Sequence, residues 1–322
     1  MKSIKYRLCT LKVRIMKSNH NNQYELNDVL SWLAEKDYRV TRPLSFQTSY
    51  SDQPPPNKLL KAAILDTETT GTHHQTDKII ELGIVIVEYC PTSGQVYRVL
   101  ETFNELEDPG FPIPPESTAI HGITDDMVKS HKILDDEVEA LMADVSLVIA
   151  HNAAFDRGFV ESRLPLFINK SWACSYAQLP WKIEGMGSAS LEFLAYRFGF
   201  HYDGHRASID CHALLEVLQS SLPVSSVKAM KVLLEKARLT EIKVWALNSP
   251  FDQKDKLKDN AYRWDAERKI WNKSLSQSDL SLEVEWLRAN IYTKGTFKLE
   301  LEKIDALNRF SFRRGATELI NC

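Results

Sequence analysis

The chain has 322 residues, of which 43% are hydrophobic and 26% charged, which suits a globular protein with one substantial core and a smaller module. No apolar run reaches the roughly 20 residues of a membrane helix, and the N-terminus lacks a secretory signal core. The five cysteines are scattered and form no C-x-x-C pair, which argues against a disulfide framework or a zinc site. We therefore expect a cytoplasmic protein with reduced thiols and no membrane partner.

The formal net charge of −3 hides a strong asymmetry along the chain. Residues 1–24 carry six basic and no acidic residues, and residues 223–322 carry 19 basic and 14 acidic residues. The part between them holds 15 basic and 29 acidic residues. An acidic centre between basic ends suits a nucleic-acid enzyme if metal ions neutralise the centre and the ends bind the polyanion. The alternative is that surface charge simply varies along the chain.

Residues 1–58 are predicted to form no catalytic domain. We interpret residues 1–24 as a basic tail, with an organelle-targeting peptide as the alternative. Apolar residues recur with helical spacing over 25–38, which predicts a short helix. A proline-rich spacer follows at residues 53–57.

Residues 59–222 are predicted to form one α/β domain. Three apolar runs joined by short loops predict an antiparallel meander, and helical and strand patterns then alternate. The predicted strands are 59–66, 79–87, 95–103 and 145–150, and the predicted helices are 125–130, 133–143, 153–163, 189–198 and 207–219. The proline-rich stretch over 109–115 is predicted to be a surface loop. This order predicts a ribonuclease-H-like mixed five-stranded sheet flanked by helices.

The first candidate site residues end the first predicted strand. The stretch reads Ile64-Leu65-Asp66-Thr67-Glu68-Thr69-Thr70-Gly71. Alternate side chains of a strand point to the same side, so Asp66 and Glu68 should project together. Two neighbouring carboxylates in a desolvated place repel each other, and a divalent cation with oxygen ligands relieves that repulsion. The alternative is a strand end with two solvated acids.

Three residues further along the chain are expected to join this pair. Asp156 lies in the first turn of a helix that follows a buried strand, so it can face Asp66. His205 precedes Asp210 by five residues, with the helix between them predicted to begin near residue 207. Asp210 would be fixed for metal binding, while His205 would be free to accept a proton from water. Taken singly, each acid could instead favour a helix N-terminus, and His205 could be an ordinary loop histidine.

These motifs resemble the DEDD family of 3′–5′ exonucleases, histidine subtype, which includes the epsilon subunit of DNA polymerase III and ribonuclease T. Asp66 and Glu68 match its first motif, Asp156 its second, and His205 with Asp210 its third. The resemblance implies phosphodiester hydrolysis with two Mg²⁺ or Mn²⁺ ions. It assigns the four acids as metal ligands and His205 as the general base.

The resemblance also implies a set of substrate-binding residues. The terminal nucleotide would contact the turn after the first acids and an apolar wedge, and the segment around His121 is similar to one that recurs in the family. The predicted substrate-binding residues are Thr69, Thr70, Gly71, His121, Asn152 and Phe155. We expect single-stranded DNA as the substrate and RNA as the alternative, with a role in repair or proofreading.

Two other functions share part of this sequence pattern. A haloacid-dehalogenase-type phosphatase also has an apolar strand that ends in D-x-D-x-T, but the second acid here is Glu68 and the third motif has no place in it. A non-catalytic nucleic-acid-binding module would be indicated by loss of a catalytic residue, and all five are present.

The C-terminal part is predicted to consist of a helical linker over 223–242 and a small α+β module over 243–322. Tryptophan, tyrosine and phenylalanine residues alternate with lysine and arginine over 243–273, and the pattern resembles a small domain of unknown function that accompanies nucleic-acid enzymes. The aromatic residues either stack bases as a single-strand-binding platform or form the core of the module.

The sequence also offers candidate protein partners. The segment from Gln277 to Leu282 loosely fits a sliding-clamp motif but also reads as the start of a helix. A polymerase is a further candidate partner, although the C-terminal module favours a stand-alone enzyme. A homodimer is a candidate because many relatives form one.

Overall fold

The computed structural model describes residues 26–293 and 295–322, and it divides into two units between Thr41 and Arg42. In the first unit, helix α1 (Leu26–Glu35) confirms the predicted short helix. The predicted basic tail over residues 1–24 lies outside the described residues. No helix within the described ranges is long and apolar enough to cross a membrane.

The second unit contains two five-stranded sheets and one two-stranded sheet. Its strands are β1 (Arg42–Pro43), β2 (Leu60–Thr69), β3 (Ile79–Tyr89), β4 (Val96–Leu106), β5 (Val145–Ala150), β6 (Trp172–Cys174), β7 (Phe200–His201), β8 (Glu241–Ala246), β9 (Arg263–Asp265), β10 (Ile270–Ser276), β11 (Lys298–Ile304) and β12 (Thr317–Asn321). Its α-helices are α2 (Pro115–His121), α3 (Asp125–Val128), α4 (Asp135–Met142), α5 (Ala153–Arg163), α6 (Ser175–Gln178), α7 (Leu191–Arg197), α8 (Ala207–Gln219), α9 (Ala229–Arg238), α10 (Lys254–Asp259) and α11 (Leu280–Asn290).

The first large sheet has the strand order β4-β3-β2-β5-β6. The pairs β4–β3 and β3–β2 are antiparallel, whereas β2–β5 and β5–β6 are parallel. The predicted ribonuclease-H-like mixed five-stranded sheet is therefore confirmed, including its antiparallel meander. The predicted loop over 109–115 ends in α2, which has a proline in its first turn, where the missing N–H costs nothing.

Strand β2 directs its side chains to two separate cores. Ala62 and Ile64 pack on the face covered by α7, α8 and α9, while Ala63 and Leu65 pack on the face covered by α4 and α5. The strand continues to Thr69 instead of ending at residue 66, because it remains paired with β3 past both acids. Asp66 and Glu68 consequently lie on the α8 side, and the intervening Thr67 lies on the α5 side.

The second large sheet has the order β12-β11-β8-β10-β9 and is antiparallel throughout. Helices α10 and α11 supply Leu257 and Leu287 to its core, which agrees with the predicted α+β composition. Tyr262 is buried in that core and Trp271 packs against it, whereas Trp264 is 50% exposed. A 3₁₀ turn over Gln277–Asp279 leads into α11, which confirms the helix-start reading of that segment.

Segments on both sides of the predicted exonuclease domain, residues 59–222, pack against the core of that domain. Leu44 and Tyr50, which precede the proline-rich stretch, pack against the core between β2 and α8, and β1 pairs with β7. Helix α9, within the predicted linker, contributes Met230 and Leu233 to the same core. The predicted domain boundaries remain predictions.

Candidate active site

Three carboxylates converge where β2 meets the first turn of α8. Ligand oxygens of Asp66, Glu68 and Asp210 all lie within 4.8 Å of one another. The approach of α8 depends on Gly83, which pairs with Asp66 in the neighbouring strand β3. A Cβ at Gly83 would lie 2.4 Å from the carbonyl carbon of Ala207, so only glycine admits the helix this closely.

The fourth acid, Asp156, lies in the first turn of α5 and is 3% exposed. Its Oδ1 accepts hydrogen bonds from the backbone N of Thr67 at 3.1 Å and from the Thr67 hydroxyl at 2.9 Å. Asp156 is close enough to Asp66 that its charge raises the pKa of Asp66. The fold therefore brings all four predicted acids to the end of β2.

The pKa values of these acids are raised because the site is desolvated and negatively charged. Burial, followed by the charges of Asp156 and Asp210, raises the pKa of Asp66 well above its ordinary value. Burial and then Asp210 raise the pKa of Glu68 to about 8, and burial raises that of Asp156 to about 7. The pKa of Asp210 is also raised, mainly by burial. Four oxygen donors that are destabilised as anions fit a divalent cation.

The third motif is held by hydrogen bonds to Asp210. Its Oδ1 accepts from the Tyr202 hydroxyl at 2.9 Å, and its Oδ2 accepts from the backbone N of His205 and of Arg206 at 2.8 and 3.2 Å. His205 has a φ of 65°, in the left-handed region, and its side chain is 53% exposed. Its Nε2 lies 3.9 Å from a carboxylate oxygen of Glu192. His205 therefore lies in an exposed position just before α8, where the sequence places it.

The buried carboxylate of Glu81 supports the loop that precedes α8. This residue was not identified from the sequence. Glu81 on β3 is fully buried and accepts hydrogen bonds from the Arg206 guanidinium, from the backbone N of Ala207 at 3.0 Å and from Asn104 Nδ2 at 3.0 Å. An acid within the otherwise apolar β3 was the available signal, because a buried charge needs a partner. Tyr202 gave no comparable signal.

The turn after Glu68 is held by its own hydrogen bonds. The Thr69 hydroxyl donates to the carbonyl of Gly71 at 2.6 Å, and the Thr70 hydroxyl accepts from the backbone N of Lys78 at 3.0 Å. The backbone N of Thr70 donates to the carbonyl of Lys78 at 2.9 Å, and the carbonyl of Thr70 accepts from the Ser117 hydroxyl at 2.8 Å. The predicted substrate contacts of Thr69, Thr70 and Gly71 remain predictions.

The other predicted substrate residues surround the same place. His121 is buried, its Nδ1 accepts from the backbone N of Ile123 at 3.0 Å, and its Nε2 has no hydrogen-bond partner among the described residues. Burial lowers the pKa of His121. Asn152 is exposed at the start of α5, and Phe155 is half-buried against Phe159 with a centroid distance of 4.9 Å. Their roles in binding remain predictions.

Comparison with known proteins gives one family. The RNase T family model, described as an exonuclease, matches residues 63–218. The epsilon subunit of DNA polymerase III from Treponema pallidum is 31% identical over 168 residues, which is 49% of this chain and 74% of that protein. An uncharacterized exonuclease of Escherichia phage 186 is 31% identical over 177 residues, 48% of this chain and 85% of that protein.

Other matches cover smaller parts or show lower similarity. A PolC-type DNA polymerase III of Clostridium perfringens is 36% identical over 164 residues, and the match spans 49% of this chain but only 11% of that protein. Exonuclease X, solved in complex with 5′-overhanging duplex DNA, is 26% identical with a TM-score of 0.38, covering 53% of this chain and 99% of that one. The chain belongs to the RNase T exonuclease family, within the DEDD superfamily.

Proposed function

We propose that this protein is a metal-dependent 3′–5′ exonuclease that removes nucleoside 5′-monophosphates from the 3′ end of single-stranded DNA. The observation that carries the proposal is the convergence of Asp66, Glu68 and Asp210 within 4.8 Å, beside the buried Asp156 and the exposed His205. This donor set and a free imidazole suit hydrolysis of a phosphodiester with a water nucleophile.

Each residue of the site has a proposed role. Asp66, Glu68 and Asp210 would hold Mg²⁺ or Mn²⁺ with Asp156, and two bound ions would activate the water and stabilise the departing 3′ oxygen. His205 would take the proton from the water, because its ring is exposed on the loop that Asp210 holds through two backbone N–H groups.

The substrate class rests on the relatives. DNA is favoured because the relatives named above include DNA polymerase III proteins. His121 stays a predicted substrate-binding residue, although its Nε2 is buried.

The C-terminal sheet gives limited support for the predicted base-stacking platform. Trp264 on β9 and Phe251 in the 3₁₀ turn before α10 are exposed aromatic residues, as such a platform needs. The adjoining cavity, with a volume of about 680 Å³, contains Arg268 and Arg314, which are both paired with Glu300. Strand binding by this sheet therefore remains a prediction.

Digestion of 5′-labelled oligonucleotides tests the proposed function. Single-stranded DNA should shorten stepwise from the 3′ end with Mg²⁺ and not with chelator, and Asp66→Asn should abolish the reaction. Asp126→Asn, an exposed acid on α3, is the matched control and should retain activity. If RNA is digested faster than DNA, RNA is the substrate instead of DNA. If the wild type binds the oligonucleotide without hydrolysing it, the protein is a non-catalytic nucleic-acid-binding module.

A further inference from the structure

The loop between β11 and β12, residues 305–316, leaves its own sheet and packs on helix α5; we call it the C-terminal loop. Arg157, fully buried and next to Asp156 in sequence, donates hydrogen bonds to the carbonyl groups of Arg309 at 2.7 Å and Leu307 at 2.6 Å. Its Nε also donates to Glu161 at 2.7 Å. Removing a buried guanidinium from such partners is strongly destabilising, so this attachment is firm.

Glu161, one turn further along α5, binds the same loop. Its carboxylate accepts hydrogen bonds from the Ser311 hydroxyl at 2.7 Å and from the Arg313 guanidinium at 2.9 Å. Two residues of α5 thus hold the C-terminal loop at both the backbone and the side chains. The helix that carries Asp156 is therefore also the helix on which the C-terminal loop is mounted.

Phe312, at the tip of the loop, contacts a different segment. Its ring stacks on His74 with a centroid distance of 4.0 Å and an interplanar angle of 20°. A Cβ at Gly158 would lie 2.6 Å from Cε2 of Phe312, so the ring needs a glycine at this position of α5. Phe312 is nevertheless 67% exposed, so this contact buries little of the ring.

His74 connects Phe312 to the predicted nucleotide pocket. It lies in the turn that follows Gly71, and its ring meets the edge of Phe159 at 6.4 Å. Phe159 in turn packs against Phe155 at 4.9 Å. The C-terminal loop therefore contacts both segments expected to hold the terminal nucleotide, one through His74 and the other through α5.

We infer that the C-terminal loop positions the pocket for the terminal nucleotide, with Phe312 and Arg157 as positioning residues. This inference rests on the proposed function. The contacts lie on His74 and on the far side of α5, away from the carboxylate cluster, so they act on nucleotide binding more than on the hydrolytic step. The C-terminal sheet then contributes to activity by fixing the pocket walls.

Replacement of Phe312 in the full-length chain tests the inference. Phe312→Ala should weaken binding of deoxythymidine 5′-monophosphate, measured by calorimetry with Mg²⁺, by about 2- to 10-fold, the range of one aromatic contact. KM for a single-stranded oligonucleotide should rise by a similar factor, while kcat stays within about twofold. Leu319→Ala is the matched control, because Leu319 on β12 is 65% exposed, close to the 67% of Phe312, and should change neither value.

Gly158→Ala separates positioning from simple loss of folding. Alanine normally stabilises a helix relative to glycine, so reduced nucleotide affinity without a lower melting temperature would not reflect unfolding. The added Cβ would lie 2.6 Å from Phe312 and 3.2 Å from Cγ of His74, so it should act mainly through Phe312. Adding Gly158→Ala to Phe312→Ala should therefore weaken nucleotide binding less than Gly158→Ala does in the wild type. Wild-type nucleotide affinity in both single variants would overturn the inference, whereas an inactive wild type that still binds the nucleotide would refute only the proposed function.

Discussion

Glu68→Gln should stabilise the metal-free protein while it removes activity. Glu68 is an acid whose pKa is raised from 4.5 to about 8, mainly by burial and next by Asp210. At about 1.4 kcal/mol per pKa unit, an ionised Glu68 costs the folded state at most about 5 kcal/mol. Glu68 is only partly buried, and the site can relax, so we expect about 1–3 kcal/mol at high pH.

The sign of the pH dependence follows from the direction of the pKa shift. Below pH 4.5 Glu68 is protonated in both the folded and the unfolded chain, and it has no effect on stability. As the pH rises towards 8, the unfolded chain loses this proton first, so the folded wild type is progressively destabilised. Glutamine cannot ionise, so the stability advantage of Glu68→Gln should grow across this window and level off above it.

Urea unfolding in chelator at pH 5.5 and pH 9 measures this advantage, because groups outside the site titrate alike in both proteins. Within the site, loss of the Glu68 charge also removes one cause of the raised pKa of Asp66, which adds to the advantage at high pH. Glu192→Gln is the control, since that exposed carboxylate lies beside His205 and outside the cluster. A Glu68→Gln variant that is no more stable than wild type at pH 9 would contradict the electrostatic description of the site.

Three further predictions follow from the same geometry. His205→Ala should lower kcat about 10²–10⁴-fold, the usual contribution of a general base, and leave Mn²⁺ affinity by calorimetry nearly unchanged. Gly83→Ala should lower the free energy of unfolding by about 1–3 kcal/mol, because its Cβ would meet the Ala207 backbone at 2.4 Å. Mg²⁺ at 100 times its Kd should stabilise the wild type by about 2.7 kcal/mol and Glu68→Gln by less, measured by thermal unfolding.

The elements that carry the four acids were predictable from sequence because their signals are local. Helix α8 runs over Ala207–Gln219 and α5 over Ala153–Arg163, the ranges that their apolar patterns predicted. Strand β5 likewise matches its continuous apolar run at Val145–Ala150. The two helices are long enough for their periodicity to identify them, whereas the run at 145–150 is identified as a strand by its short length and its β-branched residues.

The short strands β1, β6 and β7 depend on contacts that a local pattern does not contain. Strand β6 has three residues and is a strand because it pairs with β5, so the sequence predicted a five-stranded sheet without locating this strand. The pairing of β1 with β7 joins segments about 158 residues apart, Arg42 with Phe200. The supporting bond between Arg206 and Glu81 spans 125 residues. Such partners are chosen by tertiary packing, which overrides local preference.

The four acids differ in how many hydrogen bonds they accept from the protein, and this difference has a measurable consequence. Asp156 accepts two hydrogen bonds and Asp210 three, whereas Asp66 and Glu68 accept none within the described ranges. Carboxylates without protein donors keep more oxygen lone pairs for a cation, so Asp66 should contribute most to metal affinity and Asp156 less. Calorimetry with Mn²⁺ should therefore show a larger loss for Asp66→Asn than for Asp156→Asn. Equal losses would mean that Asp156 is as direct a ligand as Asp66, despite its two bonds to Thr67.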